Sequence, residues 1–310
     1  MKIITLTLSP AFDLHCTADE LQLGRENLAH ICRREVGGKG VNISRALKTN
    51  EKDSLCIVLL GDANGEEFKK GLERDSLNFK VFNVSGRIRE NITIHTKGGE
   101  ETRISFEGAS AEPSVLDTIA AELERTELSD TLITFTGRAP EGISIEHIKA
   151  FLKRLQELGA RVIIDSRSFS LSDIADCTPY LIKPNEEEIS TYMGRDISTL
   201  AEAVEAGRTI CKMGVENVMI TLGGKGAVLV TCDGVWTATP PRLTPLSTIG
   251  AGDSTIAGFL SAIAEGQDIS LALRRAVAYG SAACLTEGTQ PPRQEDIENL
   301  ISQVEIKAGG

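Results

Sequence analysis

The chain has 310 residues, with 41% apolar and 25% charged residues and a formal net charge of −11. This composition is typical of a globular protein with one large domain or two modest ones. So negative a chain is not expected to bind nucleic acid or a membrane surface, although it can still hold a local basic pocket for a phosphorylated substrate.

Apolar, β-branched runs alternate with helical stretches along most of the chain. Strands are predicted at 2–8, 54–61, 131–137, 161–166, 180–183 and 217–223, and helices at 40–49, 64–75, 114–126, 143–158 and 198–213. In the helix over 143–158, Ile145, Ile148, Leu152 and Leu155 share one stripe. The alternation predicts an α/β fold with a mostly parallel sheet, helices on both faces and a ligand beyond the carboxyl ends of the strands.

Two segments, 13–37 and 87–107, interrupt this alternation. The second contains two short alternating runs around the string KGGEE and predicts a β-hairpin. We expect both segments to form a small separate sheet, while residues 1–12, 38–86 and 108–310 form the main body. The small sheet could be a flap over a cleft, a packed subdomain or a dimer contact, and these interpretations are compatible.

The cysteines and the first ten residues indicate the cellular compartment in which the protein is expected. Seven scattered cysteines without a Cys-x-x-Cys pair argue against a disulfide framework and a structural zinc site. The first ten residues reach a Ser-Pro pair too early for the apolar core of a signal peptide, and no run of about 18 apolar residues predicts a membrane span. We therefore expect a cytoplasmic protein with reduced thiols.

The string GGKG occurs at 37–40 and at 223–226, in two different contexts. The first copy runs into the helix predicted over 40–49, so backbone can approach a ligand closely and Lys39 and Asn42 can point toward it. A glycine-rich helix start is also common for purely structural reasons. The second copy lies between two apolar strands and predicts a hairpin turn.

The string STIGAGDSTIAGFL, at 247–260, is a glycine-spaced loop that runs into a helix. Asp253 could be the N-cap of this helix. The preceding Gly250, Ala251 and Gly252 expose more backbone than a cap needs, and they suit an anion cradle. If a phosphoryl group lies on those N–H groups, the adjacent Asp253 carboxylate can accept the proton of an attacking alcohol.

The string KPNEEEIS, at 183–190, follows a strand and opens a helix. Glu186 to Glu188 could simply favour the helix dipole. Asn185 and Glu188 lie on one helix face at a strand's carboxyl end, an arrangement that suits a water-rich magnesium site. Both interpretations stay open at this point.

Together these stretches resemble the ribokinase-like (PfkB) carbohydrate kinase family over essentially the whole chain. The resemblance rests on GGKGVNISRAL, KPNEEEI and STIGAGDSTIAGFL. The opening TLSPAFDL and the GREN at 24–27 are most similar to the 1-phosphofructokinase branch, with the tagatose-6-phosphate kinase branch as the alternative. The resemblance implies a three-layer sandwich with a β-sheet lid, ATP as co-substrate and magnesium.

The resemblance also implies roles by position. Asp253 would be the catalytic base, Gly250, Ala251 and Gly252 the anion hole, and Asn185 and Glu188 would order magnesium and phosphates. The ATP side would comprise Lys183, Asn185, Thr221 and the stretch from Gly223 to Gly226. The sugar would be held by Asp13, Gly38, Lys39 and Asn42, and its existing phosphate by Arg89.

Arg138 departs from the family pattern, which has a small hydroxyl residue there. It follows the strand predicted over 131–137, at a carboxyl end where such sheets bind ligands. It could pair with a surface acid. Alternatively, its guanidinium could join Arg89 near the substrate phosphate, because guanidinium groups bind phosphate oxygens in pairs.

We expect an ATP- and magnesium-dependent kinase of a phosphorylated ketohexose, with fructose 1-phosphate as the first candidate and fructose 1,6-bisphosphate as its product. The alternatives are a kinase of tagatose 6-phosphate or of another sugar or nucleoside, and a non-catalytic sugar or nucleotide sensor. A homodimer through the lid is expected, because the edges of a small sheet need cover.

Overall fold

The computed structural model describes residues 1–99 and 101–309; Glu100, in the predicted lid, and Gly310, at the end of the predicted main body, lie outside the described residues. The strands are β1 Lys2–Thr7, β2 Ala11–Ala18, β3 His30–Gly37, β4 Leu55–Gly61, β5 Asn78–Val84, β6 Arg89–Thr96, β7 Glu101–Ser105, β8 Thr131–Thr136, β9 Arg161–Asp165, β10 Leu181–Ile182, β11 Asn217–Thr221, β12 Ala227–Thr231, β13 Val235–Thr239 and β14 Glu305–Gly309. The helices are α1 Lys39–Thr49, α2 Gly65–Arg74, α3 Ser114–Glu124, α4 Ile145–Glu157, α5 Leu171–Cys177, α6 Glu186–Met193, α7 Leu200–Cys211, α8 Ala251–Ala264, α9 Ile269–Ala283 and α10 Gln294–Ile301.

Ten strands form the main sheet in the order β14-β13-β12-β11-β10-β9-β8-β1-β4-β5. Neighbouring strands from β11 to β5 are parallel, and β12, β13 and β14 are added antiparallel. The predicted mostly parallel sheet is therefore confirmed. The loops after the parallel strands meet along one edge of it, where such sheets bind ligands.

Helices cover both faces of the main sheet. Helices α3 to α7 bury one apolar core against one face, and α1, α8, α9 and α10 bury another against the opposite face. The stripe predicted on α4 is confirmed: Ile148, Leu152 and Leu155 are fully buried, and Ile145, at the start of the helix, is half-buried against the same core. Burial of each such side chain stabilises the fold by roughly 1.5–3 kcal/mol.

A second sheet, which we call the lid, has four strands in the order β3-β2-β6-β7. The predicted hairpin is confirmed as the antiparallel pair β6 and β7, whereas β2 and β6 run parallel. The lid strands fall within the two predicted segments except at Ala11 and Phe12, which already belong to β2. The division of the chain into two domains stays a prediction.

Several elements differ from the sequence-based prediction. The strand predicted at 180–183 is reduced to Leu181–Ile182. Strands β5 and β14, at the two edges of the main sheet, were not predicted, because their alternating or polar residues lack the apolar run of a central strand. The short helix α5 was also missed, since seven residues carry little periodicity.

The lid rests on a turn of the main body at residues 287–289, after α9. Arg33 Nη2 donates a hydrogen bond to the Glu287 carbonyl oxygen (3.3 Å), and Thr289 Oγ1 donates one to Glu35 Oε2 (3.5 Å). Gly288 has φ +60°, and a Cβ atom there would lie 2.5 Å from Arg33 Nη2 and 2.7 Å from His15 Cε1. A larger residue at 288 would therefore have to displace the Arg33 and His15 side chains.

We predict that Gly288→Ala loosens the lid. The matched control is Gly194→Ala, because Gly194 has a similar φ of +64° but nothing within 4 Å of the added methyl group. Both variants carry the left-handed backbone strain of roughly 1–2 kcal/mol, and only Gly288→Ala pushes against Arg33 and His15. Hydrogen exchange in β3 should be faster in Gly288→Ala than in the control. Equal exchange in the two variants would contradict this docking.

Candidate active site at the carboxyl edge of the main sheet

A cleft of about 1180 Å³ opens at the carboxyl ends of the parallel strands and is lined by the main body and the lid. Apart from Lys225, it brings together the residues that the sequence analysis proposed for the site: Asp13, Gly38, Lys39, Asn42, Arg89, Arg138, Lys183, Asn185, Glu188, Thr221, Gly223, Gly224, Gly226, Gly250, Ala251, Gly252 and Asp253. Their positions are observed, whereas their roles remain predictions.

The first GGKG string sets the start of α1 against the end of β1. A Cβ atom on Gly38, which has φ +126°, would lie 2.5 Å from Thr7 Cγ2, and one on Gly40 would lie 2.5 Å from Thr7 Oγ1. These glycines are needed for the close approach of the two elements. The same approach brings Lys39 and Asn42, on the first turn of α1, to the cleft.

Asp253 lies inside the first turn of α8, which begins at Ala251 after Gly250 in the left-handed conformation (φ +80°). The N-cap interpretation of Asp253 is therefore wrong, because the chain enters the helix earlier than the cap would require. Only 6% of Asp253 is exposed. Its Oδ2 accepts a hydrogen bond from Asn42 Nδ2 (2.8 Å), which fixes the orientation of the carboxylate.

Burial raises the pKa of Asp253 to about 6, against the opposing effects of Lys39 and of the Asn42 hydrogen bond. A carboxyl group with this pKa is largely ionised at neutral pH and still takes up a proton readily. Asp253 is thus suited to act as a general base.

Asp165, at the end of β9, is a second buried carboxylate in the cleft and was missed by the sequence analysis. Its Oδ2 is 2.9 Å from Lys39 Nζ, and its Oδ1 is 3.6 Å from Lys183 Nζ. Burial alone would raise the pKa of Asp165, but Lys183 and Lys39 hold it below its usual value. An aspartate at the carboxyl end of a predicted parallel strand was the signal that could have found it.

The two carboxylates therefore have different environments. Asp165 stays ionised and holds two lysines in place, whereas Asp253 has a raised pKa and is flanked by a hydrogen-bond donor and more distant cations. Burial would lower the pKa of Lys39, yet Asp165 and Asp253 together raise it. Carboxyl groups whose pKa values are pushed apart in this way are typical of acid–base sites.

The N-terminus of α8 can receive an anion beside Asp253. First-turn N–H groups of a helix have no intrahelical acceptor and carry partial positive charge. Lys183, which is 5% exposed, adds a full charge there, because its Nζ would be 3.2 Å from a Cβ atom on Gly252. Glycine at 252 keeps the space between this lysine and the helix end open.

Asn185 and Glu188 form a capping box at the start of α6. Asn185 Oδ1 accepts from the Glu188 backbone N–H (2.8 Å), and Glu188 Oε2 accepts from the Asn185 backbone N–H (3.0 Å). Both side chains also line the cleft. The neighbouring Glu186 and Glu187 pair with Lys225 and Arg167, so all three glutamates have local partners.

These residues fit a magnesium ion only when phosphates share it. Within residues 1–99 and 101–309, no group of three or more His, Cys, Asp or Glu side chains could hold a metal ion by itself. Magnesium is commonly bound through one or two carboxylates together with substrate phosphates and water. Glu188 would supply the protein carboxylate and Asn185 a neighbouring oxygen, while phosphates and water would complete the coordination of the ion.

The second GGKG string forms a 3₁₀ turn, Gly223–Lys225, between the antiparallel strands β11 and β12. The predicted hairpin is confirmed, and Gly223, Gly224 and Gly226 also line the cleft. Thr221 forms an isolated parallel bridge with Asn185, so this turn borders the start of α6.

On the lid side of the cleft, Asp13 is held by two residues that the sequence analysis missed. Its Oδ1 accepts hydrogen bonds from Asn91 Nδ2 (2.9 Å) and Arg103 Nη2 (3.1 Å). Both donors come from the β6–β7 hairpin, in which single polar residues gave no motif. A carboxylate held on one oxygen can accept a substrate hydroxyl on the other.

Arg89 and Arg138 lie close enough to influence each other. Burial lowers the pKa of Arg89, and the charge of Arg138 lowers it further. Arg89 Nε is buried without a hydrogen-bond partner. Arg138 is exposed and forms no ion pair with any described residue, so its interpretation as the partner of a surface acid is wrong. Arg89 Nη1 and Nη2 donate to the carbonyl oxygens of Phe106 (3.4 Å) and Ser9 (3.3 Å), and Arg89 forms no ion pair with any described residue. Two neighbouring arginines without a carboxylate partner suit a phosphate group.

No helix in the described part of the chain has the length and apolar character needed to cross a membrane.

Comparisons with known proteins give a consistent result. The profile of the pfkB family carbohydrate kinases matches residues 7–296. The chain is 29% identical to the 1-phosphofructokinase of Haemophilus influenzae, and the match covers 98% of each protein. It is 28% identical to the 1-phosphofructokinase of Bacillus subtilis, and that match covers 98% of this chain and 99% of the relative. Its fold is similar to that of phosphofructokinase-2 from Escherichia coli in complex with fructose-6-phosphate, with a TM-score of 0.89, 25% identity and coverage of 97% of this chain and 98% of the other.

We predict that Asp253→Asn stabilises the protein at pH 8 and loses this advantage toward pH 4. The folded-state pKa of about 6 lies above the ordinary value of 3.8, so ionisation of Asp253 opposes folding once the pH exceeds these values. The difference corresponds to about 1–3 kcal/mol in the free energy of unfolding.

Denaturant unfolding at the two pH values measures this effect, with Asp233→Asn, at an exposed aspartate, as the control. A variant that is less stable than the parent at pH 8, or a difference that does not change with pH, would contradict the raised pKa of Asp253.

Proposed function

The chain belongs to the pfkB family of carbohydrate kinases, and on this basis we propose that it transfers the γ-phosphoryl group of ATP to fructose 1-phosphate, giving fructose 1,6-bisphosphate. Sugar kinases of this family use ATP as co-substrate. The two relatives named 1-phosphofructokinase support the choice of sugar. The observation that carries the proposal is the buried Asp253, with its pKa of about 6, beside the open N-terminus of α8.

In the proposed reaction, Asp253 accepts the proton of the 6-hydroxyl group of fructose 1-phosphate. The hydroxyl oxygen bonds to the γ-phosphorus atom of ATP as the bond to the bridging oxygen breaks, and the electron pair leaves with ADP. Asn42 holds Asp253 Oδ2, so Oδ1 is the oxygen that faces the substrate. A sensor would have no use for a buried base, which is why we favour an enzyme.

Charge on the transferred phosphoryl group is stabilised by groups that are already in place. The N–H groups of Gly250, Ala251 and Gly252 at the start of α8 would bind the phosphoryl oxygens, together with the ammonium group of Lys183, which lies beside Gly252. Asp165 keeps Lys183 and Lys39 oriented without a substrate. Such preorganised donors and cations are the usual means of phosphoryl-transfer catalysis.

Magnesium is part of the proposal. When bound, it would neutralise charge on the ATP phosphates, and Asn185 and Glu188 would hold it on the protein side. Thr221, Gly223 and Gly226 would border the nucleotide. The capping box keeps the Asn185 and Glu188 side chains at the cleft before any ligand arrives.

The sugar would lie between Asp253 and the lid. Asp13 would bind a sugar hydroxyl, with Gly38 permitting close approach and Lys39 adding charge. Arg89 and Arg138 would hold the phosphate already present on the sugar. The complex of the Escherichia coli phosphofructokinase-2 with fructose-6-phosphate makes a sugar with its phosphate at the other end a second candidate substrate.

We further propose a homodimer through the lid. Large apolar side chains are exposed on its strands and loops: Leu23, Leu28, Ile31, Ile104 and Phe106. A second copy of the same surface would cover them. We also propose a cytoplasmic location. The seven free cysteines and the proposed use of ATP favour it.

The direct test of the reaction is Asp253→Asn. The variant retains a side chain of nearly the same shape but cannot take up the proton, so we expect kcat to fall by roughly 10²–10⁴. ATP affinity should be unchanged, and Asp233→Asn should keep full activity. Turnover near that of the parent would rule out Asp253 as the base and with it the proposed mechanism.

Arg138→Ser tests the phosphate end of the sugar. Loss of a hydrogen bond to a charged group costs about 1.5–3 kcal/mol, and the exposure of Arg138 favours the lower end. We expect kcat/KM for fructose 1-phosphate relative to fructose to fall accordingly, mainly through KM. The control is Arg87→Ser, an exposed arginine outside the cleft. The same ratio in parent and variant would remove Arg138 from the substrate site.

Light scattering tests the dimer. The parent protein should have twice the chain mass, and Ile31→Glu should shift it toward the monomer because a charge would be buried at the contact. Leu246→Glu, at an exposed leucine outside the lid, should leave the mass unchanged. A monomeric parent protein would contradict the proposed assembly.

A further inference from the structure

Arg167 is a cation in the cleft that neither the sequence motifs nor the proposed mechanism uses. It lies two residues after Asp165, in the loop between β9 and α5. Its Nε donates to Glu188 Oε1 (3.0 Å), and its Nη2 donates to Glu187 Oε2 (2.8 Å). The guanidinium group thus bridges two carboxylates in the first turn of α6.

These contacts occupy the carboxylate that is proposed for magnesium. Glu188 Oε2 accepts the capping hydrogen bond from the Asn185 backbone N–H, and Glu188 Oε1 accepts from Arg167. Each oxygen keeps a second lone pair, but the positive charge of Arg167 at Oε1 opposes the approach of a divalent cation to that oxygen.

Stability does not account for Arg167. Its side chain is 62% exposed and Glu187 is 74% exposed, and ion pairs between such exposed groups contribute little to folding. Glu188, by contrast, is only 12% exposed. Arg167 therefore places an exposed positive charge next to a nearly buried carboxylate at the proposed nucleotide side of the cleft.

We propose that Arg167 is a nucleotide-binding residue that exchanges partners: it neutralises Glu188 in the nucleotide-free protein, and it moves to the nucleotide phosphates when ATP and a divalent cation bind. Glu187 keeps it anchored during the exchange. The planar guanidinium group suits this role, since it can bind a carboxylate and a phosphate with the same fork of N–H groups. This inference rests on the proposed use of ATP.

Equilibrium binding without sugar tests the exchange, because no turnover can then occur. ATP binding is measured by calorimetry in EDTA and in a magnesium titration, and Mn²⁺ binding to the protein saturated with ATP is measured by electron paramagnetic resonance. Arg167→Gln should weaken magnesium-free ATP binding on the order of tenfold. The same variant should bind Mn²⁺ more tightly and need less magnesium for half-saturation, because Glu188 has lost its competitor.

Two further variants separate this role from a structural one. Arg195→Gln is the matched control, since Arg195 is an exposed arginine that pairs with Glu202 and Glu205 outside the cleft. It should change neither ATP nor Mn²⁺ affinity. Arg167→Lys keeps the charge without the fork and should recover part of the magnesium-free ATP affinity.

The outcomes distinguish this inference from the proposed function. If the parent protein binds no ATP, the proposed function fails and Arg167 loses its ligand. If the parent binds ATP and Arg167→Gln binds it equally well in EDTA, or its affinity for Mn²⁺ does not rise, only the partner exchange is overturned. Opposite shifts in ATP and metal affinity would support it, because loss of a purely structural contact would weaken both.

Discussion

A carboxylate that loses most of its water keeps its charge only where donors and cations surround it, and Asp253 lies in such a place. One hydrogen bond from Asn42 and the more distant charges of Lys39 and Lys183 offset part of the cost of burial, and the pKa remains near 6. If Asp253 were more exposed, it would be a weaker base. If it lacked these neighbours, its pKa would be higher still.

This balance requires a precise convergence of distant segments. Asn42 and Asp253 are 211 residues apart in sequence, and Lys39 and Asp165 are 126 residues apart. A parallel sheet brings such segments together, because the carboxyl ends of its strands share one edge. Close glycine contacts then set the distances: Gly38 and Gly40 seat α1 on β1, and Gly288 lets the lid settle on the main body.

Elements with a regular apolar periodicity and segments with a recognisable motif could be predicted from the sequence. Buried parallel strands and amphipathic helices have clear periodicities, and the glycine-rich strings marked the N-terminal starts of α1 and α8. Asp165, Asn91 and Arg103 were missed because each is a single polar residue whose meaning depends on a partner far away in the chain. Asp253 itself was predicted next to the anion-binding backbone, but the helix start, which lies two residues before Asp253 and excludes a cap, depends on the backbone conformation of Gly250.

The pH dependence of kcat/KM for the sugar phosphate tests the central claim most directly, because it reports the ionisation of the base before the sugar phosphate binds. With saturating ATP and magnesium, kcat/KM should fall below an apparent pKa of about 6, since protonation of Asp253 removes the base. The sugar phosphate titrates in the same range, so the profile is compared with the binding of the same sugar to Asp253→Asn. A rate that stays constant down to pH 5, or an acidic limb near the ordinary aspartate pKa of 3.8, would contradict a desolvated base at this position.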